Sequence, residues 1–413
     1  MSEQPSVKIA VRGLTKVFGD EPKPALDLLR EGATKQAIFE ETGLAVGVAD
    51  ASFDVLEGET LVVMGLSGSG KSSLIRCLNR LNEPTEGQIL LDGTDIVRLA
   101  RRELLALRRK KYGMVFQHFA LLPHRSIRAN VEFGLEIQGV KAEERAERSL
   151  AALKQVGLEG WEDAWPQQLS GGMQQRVGLA RALAVDPDVL LMDEAFSALD
   201  PLIRRDMQQE LVALQSRMRK TIVFITHDLD EALFLGSRII LMKDARIEQV
   251  GTAEEILSRP ATPYVERFVA EVDKTKVLTA SAVMRRARSL AFTTDGPRTV
   301  LRKMEEKDLG FLFVVEPDFT LRGLVRDDVA LAAAQRGEKS IRSIMETGLA
   351  AVSPQTPVRE LFGLLAESSV PAPVVDDAGR LQGVVARASL LEGLAENANG
   401  GSVPDEPALA GAD

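Results

Sequence analysis

The sequence predicts an α/β protein, a doubly wound domain on a mostly parallel sheet followed by a smaller duplicated α+β region. Three observations lead there. Nearly continuous apolar runs at 113–116, 189–192, 221–226 and 238–242 suit strands buried on both faces, and helical periodicity separates most of them. A glycine-rich turn joins a short apolar strand to a helix within residues 60–78. Late in the chain, eight residue pairs recur at a constant offset of 60.

Composition sets the bounds. A chain of 413 residues has room for roughly two to four domains with buried cores. An apolar content of 45%, a net charge of −9 and a pI near 5.2 describe an ordinary acidic globular protein, which argues against a general nucleic-acid-binding face. The cluster Arg101, Arg102, Arg108, Arg109, Lys110 and Lys111 reads as a solvated helix face or a local basic patch. A single cysteine, Cys77, excludes an intramolecular disulfide framework and fits a reducing cytosol. The opening Met1-Ser2-Glu3-Gln4-Pro5 lacks signal-peptide character, and no apolar run reaches the ~18 residues of a membrane span. Any membrane role therefore requires a partner.

Residues 7–18 and 47–58 read as strands. Between them, residues 19–46 have helical spacing (Leu26, Leu28, Leu29; Ala37, Ile38, Phe39) and form a helical insertion with no evident chemistry. The apolar run 61–64 then enters Gly65-Leu66-Ser67-Gly68-Ser69-Gly70-Lys71-Ser72, and helical spacing returns at Leu74, Ile75 and Leu78. This fits G-x-x-x-x-G-K-[ST] between strand and helix. Glycines let phosphate approach backbone N–H groups, and the new helix presents unpaired donors at its positive end. Lys71 would neutralise the β- and γ-phosphates of a nucleotide, and Ser72 would offer its hydroxyl to Mg²⁺. The plainer reading is a glycine-rich turn beside a solvated lysine, but the flanking strand and helix favour nucleotide binding. Residues 87–93 suggest a strand ending in an Asp-Gly turn.

Four further sites follow in order. Gln117 ends the strand 113–116, where an amide can reach Mg²⁺ or an attacking water, or be a simple loop residue. Leu169-Ser170-Gly171-Gly172-Met173-Gln174-Gln175-Arg176 opens an apolar-periodic helix, with Ser170 as cap and two glycines that admit a ligand to its first N–H groups. Asp193 ends the strand 189–192, where it can hold Mg²⁺ through its water shell; the adjacent Glu194 can deprotonate water, although strand-end acidic pairs are common. Asp200 follows in Ser197-Ala198-Leu199-Asp200. His227 ends the strand 221–226. With only three histidines and no cysteine nearby it suits a γ-phosphate or water contact better than zinc.

In residues 259–278, Pro260 and Pro263 interrupt the pattern. Beyond it, Pro297, Leu301, Val314, Val315, Leu321, Gly323, Val325 and Leu331 recur as Pro357, Leu361, Val374, Val375, Leu381, Gly383, Val385 and Leu391. Each unit reads helix, strand, turn, strand, helix. The end of the chain, from Glu396 to Asp413, has no Lys or Arg and is expected to be disordered.

Taken in this order, the sites resemble the ATP-binding cassette (ABC) family over about residues 7–265. The resemblance implies a phosphate-loop ATPase fold, a doubly wound parallel sheet with antiparallel β and helical subdomains. It makes Gly65, Ser67, Gly68, Ser69, Gly70, Lys71, Ser72 and Ser73 contacts for ATP and assigns Mg²⁺ to Ser72, Gln117 and Asp193. Glu194, His227 and Gln117 would be catalytic. Phe18 falls where the family stacks an aromatic on adenine, and Ser170, Gly171, Gly172 and Asp200 fall in its signature and D-loop. Met173 stands where many cassettes have glutamine and Ser73 where many have threonine; neither removes a phosphate-facing group. Cassettes of this family pair head to tail, each signature closing over the other chain's ATP.

MGLSGSGKSS, MVFQHFALLPH, LSGGMQQRVGLARAL and LLMDEAFSALDPLIR narrow the resemblance to ATP-binding subunits of glycine betaine/L-proline importers. So do the insertion and the duplicated units, which resemble CBS domains. This implies a cassette over 1–273 with insertion 19–46, CBS units at 279–337 and 338–396, and a disordered acidic tail over 397–413. It also implies a cytoplasmic homodimer on the inner face of the cell membrane, beneath integral-membrane permease subunits served by an extracytoplasmic substrate-binding protein. Nucleic acid is not an expected partner. Substrates would be glycine betaine, proline, choline or carnitine.

Many CBS units bind adenosine nucleotides through a Ser or Thr three residues past the strand glycine and an aspartate three beyond. Here Gly323 is followed by Arg326 and Val329, and Gly383 by Ala386 and Ser389, so the ribose aspartate is missing twice. Gating by ionic strength, nucleotide binding and simple dimerisation stay open for this pair. A nucleic-acid- or ribosome-linked ABC ATPase is opposed by the single cassette and acidic charge. A degenerate nucleotide sensor is opposed by the complete set Lys71, Gln117, Ser170, Asp193, Glu194 and His227.

Overall fold

The structure is a computed structural model that describes residues 6–117, 119–270 and 278–390; the stretch 397–413, expected to be disordered, lies outside the described residues. The chain forms two compact units, one running to residue 256 and including 260–269, the other comprising 257–259 and the chain from 270 onward.

The first unit begins with β1 (Val7–Phe18), α1 (Lys23–Arg30), α2 (Lys35–Thr42) and β2 (Ala45–Leu56). Next come β3 (Thr60–Met64), α3 (Lys71–Leu78), β4 (Glu86–Leu91), β5 (Thr94–Asp95), α4 (Arg101–Lys111) and β6 (Tyr112–Phe116). The helices α5 (Ile127–Gln138), α6 (Ala142–Gln155) and α7 (Gly171–Ala184) precede β7 (Val189–Asp193) and α8 (Pro201–Met218). The unit closes with β8 (Thr221–Thr226), α9 (Leu229–Leu235), β9 (Arg238–Lys243), β10 (Arg246–Gly251), α10 (Ala253–Ser258) and α11 (Pro263–Val269).

Two sheets result. The strands β2-β1-β4-β5 form an antiparallel sheet, and β10-β9-β3-β8-β7-β6 form the second, parallel except for its β10 edge. Every residue of β3, β7 and β8 is buried, as continuous apolar runs require when both faces are covered. Register decides what happens at their ends. Met64 pairs with Thr226, Asp193 with Ile225 and Phe116 with Asp193. The residues that follow these strand ends therefore emerge side by side, at the carboxyl edge where such sheets place ligands.

The insertion folds as two helices. Ala25, Leu26 and Ile38 pack with Val17, Val46, Ala49 and Ala245 in a small core of their own. Thr34 caps α2 by accepting from Ala37 N at 3.2 Å. The basic cluster is more than a solvated face. Arg108 Nε donates to Asn79 O at 2.6 Å, and Lys111 Nζ lies 2.5 Å from Asp188. Cys77 is fully buried, and burial pushes its thiol up to about 12, so it is an inert core residue.

Lys111 belongs to an ion cluster with Lys8, Asp92 and Asp188; Lys8 Nζ lies 2.8 Å from Asp92 and 2.9 Å from Asp188. Burial would raise the Asp188 carboxyl, but hydrogen bonds from Lys111 and Lys8 outweigh it and hold the group below its ordinary 3.8. Burial would lower the Lys8 ammonium, but Asp92 and Asp188 raise it above 10.5; Asp188 raises Lys111 as well. Asp188 thus stabilises the fold above pH 3.8 and loses this effect as pH falls through its depressed folded value. The lysines contribute below pH 10.5 and lose their share as pH climbs through their raised values. Asp188→Asn is expected to lower Tm at pH 7 by about 2–4 °C, the shift that 1 kcal/mol brings in a domain of this size. Denaturation across pH should show the gap narrowing at both extremes; a pH-independent gap would refute the ionic explanation.

The second unit contains α12 (Ala280–Val283), β11 (Leu290–Phe292), α13 (Pro297–Lys307), β12 (Phe311–Val315), β13 (Leu321–Arg326) and α14 (Asp327–Gln335). It continues with α15 (Val358–Glu367), β14 (Ala372–Val375) and β15 (Leu381–Val385). The sequence repeat has a structural counterpart: Pro297 and Pro357 start or cap helices, and Val314 and Val374 face Gly323 and Gly383 across antiparallel pairs. The cores cross over, however. Leu278, Ala280 and Val283 pack with Val358, Leu361, Val374 and Val385 of the second repeat, whereas Ile341 packs with Val300, Val314 and Val325 of the first. Each crossing segment passes over the repeated glycine. A Cβ at Gly323 would lie 2.2 Å from Glu346 O, and one at Gly383 would lie 2.9 Å from Arg285 O.

Candidate functional site

At the carboxyl edge of the parallel sheet, the loop 65–70 leads from β3 into α3. Lys71 is buried, and its ammonium donates to Gly65 O at 2.8 Å and Leu66 O at 3.1 Å, so it holds the loop's own carbonyls. Burial pulls Lys71 below its ordinary 10.5, partly offset by the charges of Glu194 and Asp193. An arriving polyanion would strengthen that offset. Ser67 and Gly68 are exposed at the crest, while Ser69 is buried with an Oγ that has no partner among the described residues.

Ser72, on the first turn of α3, donates from Oγ to Asp193 Oδ1 at 3.0 Å. Asp193 is 5% exposed, and its second oxygen lies 3.2 Å from Arg76 Nη2. A hydroxyl and a carboxylate oxygen side by side are hard ligands that fit a divalent cation completing its shell with water and phosphate oxygens. Among the described residues, no group of three His, Cys, Asp or Glu side chains forms a metal cage.

Glu194 begins the loop after β7 with φ of 47°, a left-handed conformation costing on the order of 1 kcal/mol for a non-glycine residue. Its N–H donates to Ile225 O at 3.2 Å, and its carbonyl accepts from Ser197 Oγ at 2.9 Å, which fixes the turn. The carboxylate is partly buried. One oxygen, Oε2, lies 3.5 Å from Gln117 Nε2 and 3.4 Å from His227 Nδ1. Three strand ends thus converge on one carboxylate oxygen, a geometry able to hold a water and accept its proton.

Phe18, at the end of β1, is 40% exposed, with the Lys16 ammonium 5.0 Å from its ring centroid. A Cβ at Gly47 would fall 2.6 Å from that ring and 3.0 Å from Ser73 Oγ, so both side chains lie over this glycine. Ser170 caps α7 by accepting from Met173 N at 3.4 Å, with Gly171 exposed and Gly172 buried against Ile203. Asp200 is the exposed cap of α8, accepting from Ile203 N at 3.1 Å. Among the described residues, no hydrogen bond joins Ser170, Gly171, Gly172 or Asp200 to the phosphate loop of the same chain.

Some contributors had no sequence signal. Arg204 donates to the carbonyls of Phe196, Ser197 and Leu199 at 3.1–3.3 Å and lies 3.7 Å from Asp228, beside His227. Arg76 was legible in principle, because it lies four residues after Ser72 on one helix face. In the second unit, a cavity of about 280 Å³ is lined by residues that include Arg286, Arg288, Phe311, Phe313 and Ser389 and, among the described residues, no Asp or Glu.

Residues 48–197 match the family model described as ABC transporter, and residues 341–396 match that described as CBS domain. The glycine betaine transport ATP-binding protein OpuAA of Bacillus subtilis is 50% identical over 96% of this chain and 94% of its own length. The glycine betaine/proline betaine transport system ATP-binding protein ProV of Salmonella typhimurium is 47% identical over 94% of this chain and 98% of its own. Among solved structures, the dimeric bacterial ABC transporter cassette MJ0796 matches with a TM-score of 0.50 and 35% identity, covering 59% of this chain and 98% of that one. The same cassette in a dimeric post-hydrolysis state bound to ADP and Pi also has a TM-score of 0.50, at 34% identity and the same coverage.

Proposed function

The chain belongs to the ATP-binding subunits of ABC transporters, in the group that serves glycine betaine transport, and from that premise we propose that it hydrolyses ATP to energise import of glycine betaine, proline and related compatible solutes. The observation that carries the chemistry is the approach of Gln117 and His227 to one oxygen of Glu194, beside the Ser72–Asp193 pair.

In this reading, Phe18 stacks on adenine beside Ser73. The loop residues Gly65, Ser67, Gly68, Ser69 and Gly70 surround the phosphates, and Lys71 neutralises them. Ser72, Asp193 and Gln117 hold Mg²⁺, whose charge stabilises the phosphoryl oxygens when bound. Glu194 takes the proton of the hydrolytic water at Oε2, and His227 orients that water against the γ-phosphate. ATP and water become ADP and phosphate. Ser170, Gly171 and Gly172 at the α7 N-terminus, with Asp200, face the ATP of a second copy, so hydrolysis is coupled to opening of a homodimer. The dimeric state of the similar cassette supports this arrangement.

The working location is the cytoplasmic face of the cell membrane, beneath permease subunits fed by an extracytoplasmic binding protein. Among the described residues, no helix is long and apolar enough to cross a membrane. The duplicated region 279–396 acts as a regulatory CBS pair that gates transport by ionic strength through charged contacts, which salt screens over ~8–10 Å.

The test is to co-purify the permease, reconstitute it with the binding protein, and measure ATP-dependent uptake of glycine betaine, proline and choline across a salt series. Uptake of the betaine is expected, and a failure to take up any of the three would overturn the substrate reading. Deleting residues 279–413 is expected to leave transport active but flatten its salt response; an unchanged response would reject the regulatory role.

A further inference from the structure

The insertion between β1 and β2 has no part in the chemistry above, yet it reaches the phosphate loop. Lys35, the first residue of α2, donates from Nζ to Gly68 O at 2.8 Å. The turn between β9 and β10 does likewise, with Ala245 N donating to Ser69 O at 3.0 Å. Because a peptide unit is planar, holding a carbonyl also fixes the N–H of the next residue. Lys35 therefore orients the Ser69 amide, which donates to Leu66 O at 3.1 Å, and Ala245 orients the Gly70 amide. Two successive amides of the loop are set by elements outside it.

Between these two supports lies a cavity of about 320 Å³ lined by Lys35, Gln36, Phe39, Ala45 and Asp244. This is within the range of small-molecule sites, about 300–1,000 Å³. Ala45 is the register partner of Phe18, so the cavity lies beside the strand pair that carries the aromatic residue proposed to stack on the base. Its wall is anchored by Ile38, which is fully buried in the insertion core. The next residue, Phe39, is 56% exposed, an aromatic ring left largely outside the core. The lining combines an aromatic face, an amide, a carboxylate and an ammonium, groups suited to a purine nucleoside.

We propose that the insertion is the outer wall of the nucleotide site. Phe39 packs on the nucleoside end of ATP, Gln36 and Asp244 offer it polar atoms, and Lys35 is a positioning residue that ties this wall to the phosphate loop. The proposal rests on the ATP reading above. It divides nucleotide affinity into a phosphate part, set by the loop, and a nucleoside part, set by a segment with no phosphate chemistry of its own.

Binding of Mg-ATP and of magnesium tripolyphosphate, which lacks the nucleoside, to the full chain separates these parts. Phe39→Ala is expected to weaken ATP ~10-fold, the scale of one well-packed aromatic, and to leave tripolyphosphate within about twofold. Phe39→Tyr, which keeps the ring, should restore ATP binding to within about twofold of wild type. Lys35→Ala should weaken both ligands about fivefold with kcat at saturating ATP nearly unchanged, and Lys35→Arg should recover most of the loss. Folding is followed by circular dichroism and Tm, and the exposure of Phe39 makes its truncation tolerable. If Phe39→Ala and Lys35→Ala bind ATP like wild type while Lys71→Ala does not, the insertion is no nucleotide wall and the proposal is overturned with the ATP reading intact. If wild type binds neither ligand, the ATP reading falls and takes the proposal with it.

Discussion

Glu194→Gln is expected to bind ATP with wild-type affinity and to turn it over at least ~10²-fold more slowly, roughly 3 kcal/mol of added barrier. The amide keeps the size of the side chain and can still meet Gln117 and His227, each within 3.5 Å of the present carboxylate. What it loses is a basic oxygen. Because Ser72, Lys71 and Asp193 are untouched, binding survives while proton removal fails, and the ATP-held homodimer should persist long enough to be isolated by size exclusion. Phosphate release under single-turnover conditions is the direct measurement. Turnover near wild type would show that another group takes the proton.

The second large effect is at the other end of the phosphates. Lys71→Ala should lose ATP affinity at least ~10²-fold, about 2.7 kcal/mol, and abolish the ATP-induced rise in Tm. The empty protein should respond far less. Truncation relieves a buried ammonium but also removes its hydrogen bonds to Gly65 O and Leu66 O. These effects oppose each other, so the Tm without ATP should stay within about 4 °C of wild type, the shift of ~1 kcal/mol at this size. Thermal melts with and without Mg-ATP read both quantities. A retained ATP shift would remove Lys71 from the phosphate site.

Much of this was legible in the sequence because continuous apolar runs are hard to place anywhere but inside a parallel sheet. Once 60–64, 112–116, 189–193 and 221–226 are neighbouring strands, Gly65, Gln117, Glu194 and His227 must emerge together. The insertion was legible as helix from Leu26, Leu28, Leu29 and Ile38, but its contact with Gly68 was not. A lysine at the start of a short helix looks like any solvated lysine until the fold brings the loop to it. Arg204 was hidden for a similar reason: its partners are backbone carbonyls, which leave no mark in a sequence. Backbone strain at Glu194 was likewise invisible, since a strand-end acid carries no sign of its φ.

The repeat offers a sharper lesson. An offset of 60 gives the period of the second unit but not its phase, and the phase decides which segments share a core. Because residues 278–283 complete the second repeat and Ile341 completes the first, the two halves are linked like a pair of clasped hooks. Cutting between them would strip each half of a piece held by the other, so they should gain and lose structure as one cooperative body. The segment that opens this unit in the chain, Leu278 to Val283, is thus built into the repeat that comes later in sequence. That exchange makes the second unit a single mechanical element rather than two beads on a string.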